Sequence, residues 1–250
     1  GLHAAPFVPD WPGRDRFAGL VHSSDYRNAA PYAGMRVVVA GTGNSGAEIA
    51  TELGERGADV AWSIRTPPTI LPRDTFGVAT QRVGVALRSL PPRVVDPVVK
   101  AYARLAVGDL APFGLATPSR GAYTRAKEEH VLPVLDVGIV AAVKSGRVRV
   151  VPAIRALDEA GVELADGSRL AADAVIACTG YRPDLEALVG GLRVLDARGL
   201  PLAGGARDHV RAPGLYFVGY NAGVSGGLRE IALDAESLAR RLARELTART

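Results

Sequence analysis

Residues 35–46 read MRVVVAGTGNSG and decide the fold of this chain. A short β-branched run at 37–40 is closed by a glycine, which is the pattern of a buried parallel strand. The next six residues have the spacing GxGxxG and lead into residues 45–56, whose apolar positions recur at helical spacing. A second apolar run at 59–64 predicts another strand. We therefore expect a strand–turn–helix–strand unit of about 30 residues, the unit that binds dinucleotides in open α/β sheets.

Each glycine of the motif has a separate physical reason. The first makes the tight turn, the second lets a diphosphate approach the backbone, and the third allows close packing of helix on strand. Free backbone N–H groups and the helix dipole at the start of the helix favour phosphate. A tight turn that binds no ligand is the alternative. The predicted cofactor-binding residues here are Gly41, Thr42, Gly43, Asn44, Ser45 and Gly46.

The end of the second strand indicates which dinucleotide is bound. Residues 63–66 read SIRT and contain no carboxylate that could hold the ribose 2′-hydroxyl of NAD. A guanidinium pairs bidentately with a phosphate, so an arginine here suits the 2′-phosphate of NADP(H). Arg65, with Thr66 beside it, is therefore predicted to bind NADP(H). The alternative is an arginine that only extends from the strand end into solvent.

Composition excludes several functional classes. The net charge of +4 comes from scattered basic residues without a docking motif, so we expect no nucleic-acid partner. No apolar stretch reaches the roughly 20 residues of a membrane span, so no transmembrane segment is predicted. Cys178 is the only cysteine, which excludes an intrachain disulfide, a CxxC pair and a cysteine zinc site. We predict no metal site and expect a cytoplasmic protein.

Hydrophobic patterns predict the remaining elements. Predicted helices are 78–90, 94–107, 136–145 and 227–247. Predicted strands are 148–151, 154–157 and 161–164, which form a β-meander, followed by 173–178 and 215–218. Residues 65–77 and 109–133 are predicted to be loops, and 1–33 have no helical period.

Residues 17–26, FAGLVHSSDY, match the pattern FxGxxxHxxx(Y/F). This segment resembles the fingerprint of the flavin-containing monooxygenases, which that family carries just before its GxGxxG motif. The related Baeyer–Villiger enzymes have a tryptophan where this chain has Tyr26. The resemblance implies that His22 couples two nucleotide domains and does not transfer protons. A structural histidine with satisfied hydrogen bonds is the alternative.

Two later segments extend the resemblance. Residues 178–184, CTGYRPD, resemble the ATGYxPD segment with which the family's chain leaves its NADP domain. Residues 214–227 resemble the family's C-terminal flavin contact. A purely structural crossover is the alternative for the first segment. The additional cofactor-binding residues implied by the resemblance are Thr179, Gly180, Tyr181, Gly219 and Ser225.

Similarity continues along nearly the whole chain and is closest to the YUCCA-type, indole-3-pyruvate monooxygenase-like branch and its bacterial relatives. It implies an α/β fold, with a Rossmann-like three-layer NADP-binding domain and β-meander at residues 34–180. Residues 1–33, which carry the fingerprint, and 181–250, which carry the closing helix, would be remnants of a second, FAD-binding domain. The family's first GxGxxG, which binds FAD, is absent. We therefore expect a C-terminal fragment that needs the missing FAD-domain segment in cis or in trans.

The resemblance also implies a reaction. In the complete enzyme NADPH reduces FAD, oxygen forms a C4a-peroxyflavin, and a small-molecule substrate takes one oxygen atom. The substrate would be an amine, a sulfide or an aromatic 2-oxo acid. This chain would supply NADP binding, would be inactive alone, and has no assigned catalytic residue. Two alternatives are a flavin-dependent NAD(P)H reductase with two dinucleotide domains, and a catalytically silent NADP-binding partner subunit.

Overall fold

A computed structural model describes residues 3–75, 77–87, 89–220 and 226–248. The helices of these ranges are α1 (Asn44–Glu55), α2 (Thr80–Leu87), α3 (Pro92–Val107), α4 (Ala122–Glu128), α5 (Ile139–Lys144), α6 (Glu186–Val189) and α7 (Gly227–Thr247). The strands are β1 (Ala5–Pro6), β2 (Leu20–His22), β3 (Arg36–Ala40), β4 (Asp59–Ile64), β5 (Ile70–Pro72), β6 (Asp74–Thr75), β7 (Val78–Ala79), β8 (Val134–Asp136), β9 (Val148–Pro152), β10 (Ile154–Asp158), β11 (Gly161–Leu164), β12 (Arg169–Ala171), β13 (Ala174–Ala177) and β14 (Tyr181–Arg182).

Five parallel strands form the central sheet, in the order β2-β13-β3-β4-β9. In the middle of the sheet Val38 pairs with Val175 on one side and with Ala61 on the other. The strand–turn–helix–strand unit predicted from residues 35–64 is confirmed as β3, α1 and β4. Because the strands are parallel, the turns that follow β3, β4 and β13 meet at one edge of the sheet.

Side chains of β3 alternate between two hydrophobic cores, which makes the domain three-layered. Val37 and Val39 lie in a core with residues of α1 and α5, while Val38 and Ala40 lie in a core with residues of β10 and β11. Strands β10, β11 and β12 form an antiparallel meander that covers the second face of the sheet. The α/β fold with helices, parallel sheet and meander is thereby confirmed.

The segment after β13 is built differently. Its buried residues Leu185, Val194 and Phe217 form a small separate cluster. Helix α7 follows it, and none of its residues is buried. No helix in the described ranges combines the length and the apolar character needed to cross a membrane.

Two segments predicted to be loops contain regular structure. Within 65–77, β5 pairs in parallel with β8, and β6 pairs with β7 in a hairpin. Within 109–133, α4 is capped from a neighbouring helix, because the Asp96 carboxylate of α3 accepts hydrogen bonds from the backbone N–H groups of Tyr123 and Thr124 (2.7 and 3.2 Å). The β5–β8 pairing and the cap of α4 depend on residues far away in the sequence, whereas the β6–β7 hairpin is local. Within 1–33, β2 likewise joins the sheet only through its pairing with β13.

One predicted strand was assigned to the wrong sheet, and another was wrong. Residues 148–151 do not begin the meander, because they form β9 at the edge of the parallel sheet beside β4. Residues 215–218 form no strand: within the described ranges no strand lies beside them to complete a ladder. The carbonyl of Phe217 instead accepts a hydrogen bond from the N–H of Gly205 (2.8 Å). Predicted helices 78–90 and 136–145 are confirmed in shortened form as α2 and α5, 94–107 as α3, which begins two residues earlier, and 227–247 as α7.

Candidate functional site

The turn between β3 and α1 is held by two glycines that admit no side chain. Gly41 has φ +126°, and a Cβ there would overlap the carbonyl oxygen of Cys178 on the neighbouring crossover. A Cβ on Gly46 would overlap the carbonyl oxygen of Gly41. Helix α1 therefore begins directly against the ends of β3 and β13. This close approach is the physical reason for the first and third glycines of the motif.

The start of α1 has no side-chain cap. The helix begins after Gly43, whose side chain position is open, because no atom lies within 4 Å of where a Cβ would stand. The first helical hydrogen bond runs from the N–H of Ala47 to the carbonyl of Gly43 (3.2 Å). The N–H groups of Asn44, Ser45 and Gly46 precede that bond and point out of the helix end. Such a set of free donors fits a diphosphate.

Trp62 on β4 holds this turn in place, and it was not identified from the sequence. Its fully buried indole donates from Nε1 to the carbonyl of Gly41 (2.8 Å), and the N–H of Gly41 donates to the carbonyl of Ser63 (3.2 Å). Both polar groups of Gly41 are thus satisfied by β4. A tryptophan at the inward-facing position of a second strand was the only available signal, and it equally predicts an ordinary core residue.

Asn44 serves the fold through its side chain. Its Oδ1 accepts a hydrogen bond from the N–H of Leu135 on β8 (2.8 Å). Ser45 is exposed and Thr42 is half-buried. The side chain of Asn44 therefore ties the turn to the small β5–β8 sheet, and its backbone N–H remains available at the helix start.

Arg65 and Thr66 follow β4 at the same edge of the sheet. Ser63 pairs with Ala40, so Arg65 comes two residues beyond the level at which the glycine turn begins. Both side chains are exposed. Within the described ranges the Arg65 guanidinium makes no hydrogen bond or ion pair, so it can bind an anion without breaking an internal contact.

Thr179, Gly180 and Tyr181 take part in the passage between the sheet and the C-terminal segment. The Thr179 hydroxyl donates to the carbonyl of Phe7, and the N–H of Phe7 donates to the carbonyl of Gly180 (2.9 Å). Strands β1 and β14 pair antiparallel directly beyond these contacts, with Pro6 opposite Tyr181. The two passages of the chain are therefore joined side by side.

His22 of the fingerprint fastens the same crossover. It is buried, its Nδ1 accepts a hydrogen bond from the N–H of Ser24 (3.1 Å), and its Nε2 lies 3.0 Å from the carbonyl of Gly180. Since Nδ1 is the acceptor, Nε2 carries the proton and donates to Gly180. The ring also packs edge-on against Tyr181, with centroids 5.1 Å apart. Both nitrogens are thus used structurally.

The other fingerprint residues hold residues 17–32 on the sheet and on α1. Phe17 is buried in the core on the meander side, and a Cβ on Gly19 would overlap the carbonyl of Asp173. The Tyr26 hydroxyl donates to Oε2 of Glu52 on α1 (2.9 Å). Burial and this hydrogen bond raise the pKa of Tyr26 well above its ordinary value.

The predicted flavin contact divides into two parts. Gly219 has φ +83°, and its N–H donates to Oδ2 of Asp234 on α7 (3.3 Å). That N–H is therefore engaged with a carboxylate of the same chain. Ser225 lies outside the described residues.

Cys178 lies at the carboxyl end of β13 beside the glycine turn. It is buried, and burial raises the pKa of its thiol to about 12. A thiol with such a pKa stays protonated at neutral pH and is a poor nucleophile. Cys178 therefore serves as an apolar residue that allows α1 to approach the sheet.

Curated relatives of this chain are monooxygenases. It is 36% identical over 249 residues to the indole-3-pyruvate monooxygenase YUCCA4 of Oryza sativa subsp. japonica, a match that covers 98% of this chain and 56% of the relative. It is 40% identical over 187 residues to YUCCA8 of Oryza sativa subsp. indica, covering 74% and 44%. The chain thus spans about half the length of the curated relatives it matches.

Solved structures agree in fold. A flavin-containing monooxygenase from Stenotrophomonas maltophilia superposes with a TM-score of 0.62 at 26% identity, over 94% of this chain and 59% of that one. Cyclohexanone monooxygenase from Rhodococcus sp. Phi1, solved with NADP⁺, has a TM-score of 0.57 at 19% identity, over 81% and 49%, and supports the fold alone.

The sequence profile of the family described as flavin-binding monooxygenase-like matches residues 1–193, which is more than half of the chain. Members of that family work with FAD and NADPH. The fingerprint, the glycine turn and the crossover all fall inside the matched range, so the chain belongs to the flavin-binding monooxygenase-like family.

Proposed function

We propose that this chain supplies the NADP(H)-binding part of an FAD- and NADPH-dependent monooxygenase. The observation that carries the proposal is the start of α1 behind Gly43, which has no side-chain cap and where no atom lies within 4 Å of the position of a Gly43 Cβ. The turn is fixed before any ligand arrives, because Trp62 and Ser63 satisfy Gly41 and leave the helix end free. A preorganised anion site of this kind fits a dinucleotide diphosphate.

Different residues bind different parts of the coenzyme. The backbone of residues 41–46 holds the diphosphate, and Arg65 with Thr66 holds the 2′-phosphate at the end of β4. Thr179 to Tyr181, at the end of β13, border the site on the other side of the turn. When bound, NADPH supplies a hydride to a flavin, and the reduced flavin supplies the oxygen chemistry.

The proposed function also assigns parts of the chain to two domains. Residues 34–180 form the NADP domain, and residues 1–33 and 181–250 belong to an FAD domain that a further segment completes in cis or in trans. Support comes from α7, which buries none of its side chains in the described ranges and exposes apolar ones, with Leu228 86% exposed. Without that segment the chain binds FAD weakly or not at all and is inactive.

The substrate of the complete protein is a small molecule. The similarity to indole-3-pyruvate monooxygenases favours an aromatic 2-oxo acid, with an amine or a sulfide as the other candidates. A cytoplasmic location stays a prediction based on the single, unpaired cysteine.

The proposal is tested by titrating this chain with NADP⁺ and NAD⁺ in a calorimeter. We expect NADP⁺ to bind more tightly. Arg65→Ala should weaken NADP⁺ binding about 10- to 100-fold, because a charge-assisted bidentate hydrogen bond contributes about 1.5–3 kcal/mol. NAD⁺ binding should not change, since NAD⁺ lacks the 2′-phosphate.

Arg56→Ala is the matched control. Arg56 is an exposed arginine directly after the opposite end of α1, about 18 Å from the helix start for twelve residues at 1.5 Å each. Its charge is screened over that distance. Equal affinity for the two dinucleotides, or equal effects of the two substitutions, would count against NADP binding at this edge.

The two alternatives are separated by complementation. Co-expression with an FAD-domain segment from a relative should yield a yellow complex that oxygenates a substrate. A complex that oxidises NADPH but transfers its electrons only to an artificial acceptor would favour the reductase. A yellow complex without NADPH oxidation would favour the silent partner subunit.

A further inference from the structure

A cavity of about 130 Å³ lies between α3 and the loop that follows it, and none of its lining residues belongs to the glycine turn or to residues 65–66. Its floor is apolar: the buried side chains Ile70, Val107, Leu110 and Leu115 all line it. These residues are part of the core on the helical face of the sheet. An apolar cavity of about 150 Å³ accepts a benzene ring, so this one has the size for a single small ring or a short acyl chain.

Two exposed cationic side chains on one helix line the cavity. Lys100 and Arg104 lie one turn apart on α3 and both line the cavity. Within the described ranges neither side chain makes a hydrogen bond or an ion pair. Arg120 also lines it but is paired with Glu128 and Glu129.

One carboxylate shares the lining. Asp109 lines the cavity and accepts a hydrogen bond from the N–H of Ala111 (3.0 Å). Lys100 and Arg104 thus bring two unpaired positive charges to the lining in the described ranges, against the one negative charge of Asp109.

The walls are fixed by polar contacts outside the cavity. Residues 119–122 are held against α3 because Asp96 caps α4, with its Oδ2 also accepting from the hydroxyl of Thr124 (2.6 Å). On the other side, the buried Arg125 donates to the carbonyl of Pro67 (2.8 Å) and holds the segment that leads into β5. The cavity is therefore a preformed feature of the fold.

We propose that this cavity binds a small amphipathic carboxylate, at a site separate from the dinucleotide. The ring or acyl chain fills the apolar floor, and the carboxylate meets Lys100 and Arg104 at the opening. Arginine beside lysine suits a planar carboxylate, because the guanidinium offers two parallel donors and the ammonium adds a point charge. The site does not depend on NADP binding and is tested independently of it.

The experiment titrates the full 250-residue chain with benzoate, its neutral analogue benzamide, and acetate, each followed by NMR chemical shifts and calorimetry. Benzoate should bind and shift the resonances of residues 99–122. Benzamide and acetate should bind at least about fivefold more weakly, because each lacks one of the two interactions. Since exposed ion pairs contribute up to about 1 kcal/mol each, Lys100→Ala and Arg104→Ala should each weaken benzoate about three- to fivefold.

Two variants complete the test. Arg93→Ala removes an exposed arginine of the same helix that does not line the cavity, and it should leave benzoate binding unchanged. Ala103→Phe places a ring inside the cavity and should abolish binding, with the circular dichroism spectrum reporting whether the chain remains folded. Equal binding of benzoate and benzamide, no binding of benzoate, or an Arg93→Ala effect as large as that of Lys100→Ala would overturn the proposal.

Discussion

Gly43 and Gly46 lie in the same turn, but a methyl group has opposite consequences at the two positions. At Gly46 it would overlap the Gly41 carbonyl and displace α1 from the sheet. At Gly43 it would meet no protein atom, and the backbone angles of φ −84° and ψ 178° suit any residue. Gly46 is therefore restricted by the fold, whereas Gly43 would be restricted only by the diphosphate that we propose binds there.

A pair of substitutions separates these two roles. Gly46→Ala should destabilise the chain by about 1–3 kcal/mol, as overpacking in a core does, and should also weaken NADP⁺ binding. Gly43→Ala should leave the midpoint of thermal unfolding unchanged and lower NADP⁺ affinity at least tenfold, roughly the effect of one lost charge-assisted contact. Thermal unfolding and calorimetry measure both. Wild-type affinity in Gly43→Ala would contradict diphosphate binding at this turn.

Residue-level roles were only partly predictable from the sequence. The GxGxxG spacing predicted the turn, because the steric demands of a tight strand–helix connection are local. The hydrogen bond from Trp62 to Gly41 was not predictable, since it joins neighbouring strands and depends on which face of β4 points inward. Asn44 was predicted to contact the cofactor, and the additional use of its side chain on Leu135 also required the tertiary structure.

Strands β3 and β13 are fastened at their starts by one exposed ion pair. The Asp173 carboxylate accepts hydrogen bonds from the Arg36 side chain at 2.5 and 3.0 Å and from its backbone N–H at 2.8 Å. These hydrogen bonds lower the pKa of Asp173 to about 2. An unfolded aspartate has a pKa of about 3.9, so the folded state favours the ionised form.

This pair predicts a pH dependence with a definite sign. Because the folded pKa is depressed, the stabilisation is present above about pH 4 and is lost as the pH falls towards 2. Asp173→Asn should therefore unfold at a lower temperature than the wild type near neutral pH, and the difference should shrink towards zero between about pH 4 and pH 2. Asp25→Asn, at an exposed aspartate without a side-chain partner in the described ranges, is the control. A difference for Asp173→Asn that stays constant with pH would disprove the role of the ion pair.

At the scale of elements, the sequence predicted those helices and strands whose own residues form a clear apolar or amphipathic pattern. Strands β3, β4 and β13 are apolar runs closed by polar or glycine residues, and α7 has a long amphipathic period; all four were predicted close to their observed bounds. Short elements stabilised by distant partners were missed, as in β5 beside β8 and α4 under its Asp96 cap. Residues 215–218 were predicted to be a strand and are not, because an apolar run forms a strand only where a neighbouring strand pairs with it.

At the scale of the whole molecule, two exposed leucines test which surface packs against the FAD-domain segment. Leu228 on α7 and Leu105 on α3 are 86% and 89% exposed. If α7 packs against the FAD-domain segment, Leu228→Glu should weaken assembly of the yellow complex about tenfold or more, since burying an unpaired charge is strongly unfavourable. Leu105→Glu should leave assembly unchanged, and neither variant should lower the stability of this chain alone. Analytical ultracentrifugation with an absorbance reading of the flavin measures the assembly, and equal effects of both variants would disprove the role of α7.

The pairing of β1 with β14 has a mechanical consequence. The two segments of the chain beside the sheet are joined through Phe7, Thr179 and Gly180. The parallel sheet is therefore connected to the residues beyond it by a two-stranded ribbon and not by one strand alone. A single thread lets a domain swivel freely about any of its bonds. Two strands held about 4.8 Å apart cannot turn about each other without breaking their hydrogen bonds, although they can bend together across the ribbon. We therefore expect the parallel sheet and the segments beyond this two-stranded ribbon to move relative to each other by bending across the ribbon and not by rotation about single bonds.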